Sequence, residues 1–261
     1  MPTRLDGAAT TEFDVAAFAP LLRRPERGLE GRFKGLPYSA RIAIPDYGER
    51  VARHYAGVAR DGLAAAGIGA GIAFELPRFG LIVEFDQAAS IRVHAEDMVL
   101  DDSIRALIAR FGAVFFRNAR IAGSARRRFH RNIFPHLRFH VDRGANAVNQ
   151  YSCFTRDPGE AEQRPPRDSS TLFIANIVAW LELVRSGGCD PSRERGVRAK
   201  YDLYGDCAVA ELFGQVVLEQ PWDAPEGTGE IAVIDNRTVL HATYHKDGET
   251  QSYPIGARYL V

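Results

Sequence analysis

At 261 residues the chain is long enough for one large domain or two small ones around a substantial core. Its 33 basic and 33 acidic residues cancel, so no global field favours nucleic acid or an anionic membrane. Hydrophobic residues make up 46% and charged residues 25%. The three cysteines lack metal-site spacing, no apolar run follows a basic start, and no stretch approaches the about 20 apolar residues of a membrane span. The expectation is a soluble, cytoplasmic protein with reduced thiols.

Taken in order, the first 45 or so residues are uneven: a short apolar patch (Phe13, Val15, Phe18, Leu21, Leu22), then a charged, Gly-rich stretch. Tyr47 to Ala66 reads as a helix with Val51, Tyr55, Val58 and Leu63 on one stripe. The glycines from Gly67 to Gly71 follow that helix instead of bridging a strand into one, which points to a helix end and not a phosphate cradle. Leu81 to Phe85 reads as a buried strand. Asp102 to Phe111 is the clearest helix, with Ile104, Leu107, Ile108 and Phe111 at helical spacing, Asp102 as N-cap and Gly112 just past the end. Ala113 to Asn118 is a strand. The basic run Arg126 to Arg131 reads as a solvated loop, with a rim for an anionic substrate as the sharper alternative.

The second half is strand-rich: Leu137 to Asp142, Ala147 to Thr155, Thr171 to Ile174, Ile231 to Ile234, Thr238 to Tyr244 and Gly256 to Val261. A helix follows Ile174, with Ile177, Trp180, Leu181 and Val184 on its apolar stripe, and Val209 to Leu218 is ambiguous. Many short strands with a few helices predict a mainly β fold, a sandwich or jelly roll with flanking helices.

Two stretches concentrate chemistry. On a strand, side chains two apart share a face, so His136, Arg138, His140 and Asp142 line up against Leu137, Phe139 and Val141. Four polar groups on one face either coordinate, pair or meet water in a cavity, or mark a solvent-facing edge strand. Further on, His241 sits in an apolar stretch after Asp235-Asn236-Arg237, where it is a ligand or a hydrogen-bonded core residue. Arg258 stands in a C-terminal strand with no acidic neighbour in sequence, a guanidinium that wants a carboxylate from the protein or from a ligand. Asn149 and Tyr151 share a face one strand after His140.

The ordered set His140-Val141-Asp142, Thr171, Asp-Asn-Arg leading to His241, and Arg258 resembles the Fe(II)/2-oxoglutarate dioxygenases, in their taurine dioxygenase-like (clavaminate synthase-like) branch. Phe111 to Asn118 and Pro166 to Asn176 are similar to two further stretches of that family. The likeness spans about residues 103 to 261, and the first 100 or so match nothing placed. It implies a double-stranded β-helix (jelly-roll) core within a single domain over 1–261, with an N-terminal third that is helical and shapes the substrate pocket. It implies His140, Asp142 and His241 as Fe(II) ligands, a 2-His-1-carboxylate triad. Arg258 and Thr171 would hold the far carboxylate of 2-oxoglutarate, with O2 as the second cosubstrate. The activity implied is hydroxylation or another oxidation of a small polar molecule, such as a free amino acid or similar zwitterion, with release of succinate and CO2. Asp142 argues against halogenation, for which a small residue stands there in related enzymes. His136, Arg138, Asn149 and Tyr151 are candidate substrate contacts, and each could instead orient a ligand or satisfy a buried group. A homo-oligomer through the N-terminal region stays open. The competing readings are a cupin-like metalloenzyme that uses the triad without 2-oxoglutarate, and a non-catalytic binding protein that has kept the fold.

Overall fold

The computed structural model describes residues 12–48, 50, 78–95, 97–122, 128–132, 150–156, 169–177, 179–180, 216–221, 229–245 and 253–260. The described chain is mostly β. A 3-10 turn at Val15–Phe18 leads into a short helix α1 (Ala19–Arg23). Three strands follow, β1 (Leu29–Phe33), β2 (Leu36–Ile44) and β3 (Phe79–Ile91). Helix α2 (Asp102–Phe111) then precedes β4 (Ala113–Ile121) and β5 (Arg128–Asn132). The remaining strands are β6 (Tyr151–Arg156), β7 (Ser169–Ala175), β8 (Leu218–Pro221), β9 (Glu230–Asp235), β10 (Val239–His245) and β11 (Tyr253–Leu260).

The strands form two sheets. One has eight strands in the order β1-β2-β3-β4-β9-β6-β11-β5, the other three in the order β10-β7-β8. From β6 onward the chain changes sheets repeatedly: β6 is in the large one, β7 and β8 in the small one, β9 in the large, β10 in the small and β11 in the large. Neighbours pair antiparallel except β3 with β4, which α2 connects as a crossover.

Local chemistry explains the element ends. Lys34 and Gly35 form a two-residue hairpin loop between β1 and β2, both with positive φ (49° and 83°), as a type I′ turn requires. Helix α2 is capped by Asp101 and not by Asp102: the Asp101 carboxylate accepts from the backbone N–H of Ser103 (3.0 Å) and Ile104 (3.4 Å). Gly112 closes it at φ 77° and returns its N–H to the Ile108 carbonyl. The four apolar residues expected on its stripe are all buried.

Two apolar layers flank the large sheet. Under α2 and the N-terminal segment lie Phe18, Phe33, Tyr38, Phe85, Phe111 and Phe116, with Tyr151, Cys153, Val233 and Leu260 from the distal strands. The opposite face meets the small sheet: Phe115 and Phe173 pack edge to face with centroids 5.0 Å apart.

Two expectations change. The stretch Arg128–Asn132 is a strand paired antiparallel with β11, where a loop was expected from its charge alone. The N-terminal third, expected to be helical, supplies three strands that extend the large sheet; most of the helix predicted at 47–66 lies outside the described residues. Most of the ambiguous stretch at 209–218 lies outside the described residues, and its last residue, Leu218, starts β8.

Candidate functional site between the two sheets

Strand register fixes which residues face the space between the sheets. On the small sheet, directly opposed residues share a face. Leu218, Phe173 and His241 therefore make one row across β8, β7 and β10, and Gln220, Thr171 and position 243 make the next. On the large sheet one row runs Phe115, Ala232, Phe154, and the adjacent one Arg117, Glu230 and position 156. The rows meet in layers. The Phe154 ring lies 4.9 Å from the His241 imidazole and 6.4 Å from the Phe173 ring, while Arg117 reaches Gln220. Gly80 belongs to the same face: a Cβ there would stand 2.7 Å from Leu218 Cδ2.

His241 and Thr171 are both buried, at 4% and 2% exposure, one row apart on this inward face. The turn before β10 sets the position of His241. The Asp235 carboxylate accepts from the Arg237 backbone N–H (2.8 Å), Nε (3.0 Å) and Nη2 (2.7 Å). The Thr238 N–H donates to the Asp235 carbonyl, which closes the turn. Asn236 ties the turn to β6, its amide donating to Ser152 Oγ at 2.6 Å and its backbone N–H to the Gln150 carbonyl. The Asn176 N–H donates to the Thr238 carbonyl, and the Asn176 side chain accepts from Ala179, which starts the turn of helix after β7. The Tyr47 hydroxyl donates to the Ala175 carbonyl. Asp-Asn-Arg is thus a rigid corner, made by a bidentate buried ion pair, that delivers the third residue of β10 to the inner face.

Of the residues singled out from sequence, the structure brings His241 and Thr171 together. Tyr151 goes elsewhere. Its ring is buried in the layer under α2, with the Arg105 and Arg237 guanidiniums each 5.9 Å from the ring centroid. Its row alternates with that of Phe154, so its ring packs on the side of the sheet that carries the helix. Position 258 pairs with Cys153, in the row that continues through Val233 to Val114, and that row too alternates with the one of Phe154. His136, Arg138, His140, Asp142 and Asn149 lie outside the described residues. Among the described residues, no group of three or more His, Cys, Asp or Glu side chains is placed to hold a metal ion.

Sequence reasoning missed Arg117, Phe154 and Gln220 as residues of this face. Phe154 and Arg117 sit in stretches that read as strand, and Gln220 lies between the ambiguous stretch and Pro221. Only the strand register reveals them. Arg117 is aimed by a local irregularity: the β3–β4 register shifts between Glu84 and Ala89, and Asn118 adopts φ 55° while its amide donates to the Phe85 carbonyl at 2.7 Å.

No protein-family model matches the sequence, and no curated protein matches it. Among solved structures, a taurine dioxygenase from Burkholderia xenovorans is similar at 14% identity and TM-score 0.41, over 70% of this chain and 87% of that one. PvcB, an Fe, α-ketoglutarate-dependent oxygenase from an isonitrile synthetic pathway, is similar at 12% identity and TM-score 0.40, over 70% and 86%. AAD-2 in complex with Mn(II) and N-oxalylglycine is similar at 9% identity and TM-score 0.40, over 69% and 92%. Likeness this remote has no bearing on what this chain binds. No helix among the described residues is long and apolar enough to cross a membrane.

Proposed function

We propose that the chain is a non-heme Fe(II)- and 2-oxoglutarate-dependent oxygenase on a double-stranded β-helix, acting on a small polar molecule such as a free amino acid. The observation that carries the reading is the placement of His241 and Thr171. The resemblance implies different ligands for them, iron and 2-oxoglutarate, and they lie buried in adjacent rows of one inward face. The two-sheet arrangement supports the reading as well, since the chain passes back and forth between facing sheets from β6 to β11.

His241 fits a metal ligand in type and setting. It is an imidazole on a strand, at a dry face, with its approach fixed by Phe154 and by the Asp235–Arg237 corner. His140 and Asp142 would complete a two-imidazole, one-carboxylate donor set, which suits Fe(II) with open positions. When bound, the metal with 2-oxoglutarate and O2 supplies the oxidising chemistry, and succinate and CO2 leave. The chain's own part is to hold the cosubstrate's carboxylate near Thr171, orient the substrate and exclude water with the Phe115, Phe154 and Phe173 layer. His136, Arg138 and Asn149 remain the proposed substrate contacts.

Anaerobic addition of Fe(II) and 2-oxoglutarate should give a weak visible charge-transfer band that H241A and D142A abolish or shift. Folded wild-type protein that gives no band would exclude the reading. Succinate release across amino acids, sulfonates and phosphonates then identifies the substrate class.

The register of position 258 favours a second reading on one point. Arg258 is proposed for the far carboxylate, but its row is not the row that meets His241. If R258A leaves 2-oxoglutarate affinity unchanged and no other residue takes its place, a metalloenzyme that uses the triad without 2-oxoglutarate gains.

A further inference from the structure

We propose that Gln220 is a carboxylate-recognising residue beside Thr171, held in its donor orientation by Arg117. The inference rests on the 2-oxoglutarate reading above and assigns its far carboxylate a partner that no sequence pattern marks.

Gln220 is directly opposite Thr171 in the β7–β8 register, so both side chains share the inward face, and Gln220 is 2% exposed. A primary amide has one accepting end and one donating end. Arg117 Nη2 donates to Gln220 Oε1 at 3.5 Å, a long bond that still fixes which end faces the guanidinium. The amide nitrogen, with two hydrogens, is thereby turned away from Arg117. A carboxylate between Thr171 and Gln220 would accept from those hydrogens in a charge-assisted bond.

The charge around the pair is compatible. Arg117 lies between Glu84, whose Oε2 is 3.8 Å from Nη1, and Glu230, opposite it in register. Glu84 is in turn 3.4 Å from Arg41. Arg117 Nε is buried with no acceptor among the described residues. Among the described residues the guanidinium is therefore incompletely used. It can polarise the Gln220 amide without being neutralised by a close, bidentate carboxylate of its own.

The test compares two 2-oxo acids that chelate iron by the same end. 2-Oxoglutarate has a far carboxylate and 2-oxobutyrate has none. In anaerobic titrations of the Fe(II)-loaded protein followed by the charge-transfer band, Q220L should weaken 2-oxoglutarate by about tenfold or more and leave 2-oxobutyrate unchanged. Q220E should weaken 2-oxoglutarate further, by repulsion. A Q220L protein with wild-type 2-oxoglutarate affinity overturns the proposal, as does equal loss of both 2-oxo acids, because a merely structural role would not separate them. If Q220L does not fold, Q220N keeps the amide with a shorter reach and should show an intermediate, still selective loss; no selective loss there overturns the proposal too. Wild-type protein that binds neither acid overturns the oxygenase reading itself, which separates the two failures.

Discussion

Asp235 is the residue on which the position of His241 depends most directly. Its carboxylate takes three hydrogen bonds from Arg237, and their side chains are only 10% and 11% exposed. Burying a charge pair is not itself a strong source of stability, but removing one partner leaves the other charge uncompensated. D235N should therefore destabilise the fold by about 3 kcal/mol or more, read from urea unfolding. An apolar double replacement, D235L with R237M, should recover part of that loss. D235N should also weaken Fe(II) binding relative to an equally destabilised core variant such as V114A, because the corner aims β10. Unchanged stability in D235N would mean that the backbone alone holds the turn.

Sheet-to-sheet contact is set where β3 passes under β8. Gly80 has φ 88°, and a Cβ there would meet Leu218 Cδ2 at 2.7 Å and Ala43 Cβ at 3.1 Å. Gly35 has nearly the same φ, 83°, with nothing within 4 Å of the added atom. G35A thus measures backbone strain alone, and G80A measures strain plus overpacking. G80A should cost about 1–3 kcal/mol more than G35A in the same unfolding experiment. Equal costs would show that the sheets can separate to admit a methyl group. Neither role was legible in the sequence, because a close approach between strands far apart in the chain leaves no local pattern. Short apolar runs and helical spacing did identify the strands around His241, Thr171 and Phe115 and the helix α2, for there a single element's burial decides the pattern. Element ends were less legible: Asp101 and Asp102 are both good caps, and only the hydrogen bonds distinguish them. For the site the same division holds. Residue type pointed to His241 and Thr171, whereas Gln220 and Arg117 needed the register, and the face of Tyr151 depends on which side of the sheet carries α2.

Across the whole molecule, the N-terminal third adds three strands to the large sheet and half of the layer beneath α2. Its contribution is to the fold itself, beyond any shaping of a pocket. Tyr38 on β2 is central to that layer. Its ring stacks on Phe18 from the N-terminal segment (5.8 Å between centroids) and packs edge-on against Phe85 of β3 (5.9 Å). Burial pushes the Tyr38 phenol above its ordinary pKa of 10.0, and the charge of Asp14, which caps the 3-10 turn, pushes it the same way. Because the folded-state value is the higher one, the neutral phenol's contribution is fully present below the unfolded value. It is lost as pH rises through the folded value. Unfolding free energy should accordingly fall on going from neutral pH to about pH 11, where an exposed tyrosine is ionised. The fall should be smaller in Y38F, which keeps the ring and has no proton to lose, and D14N should lower the Tyr38 pKa while leaving the ring packing in place. If Y38F loses stability with pH as steeply as the wild type, alkaline unfolding begins at other groups, and the joint between the N-terminal segment and the sheet is not its trigger.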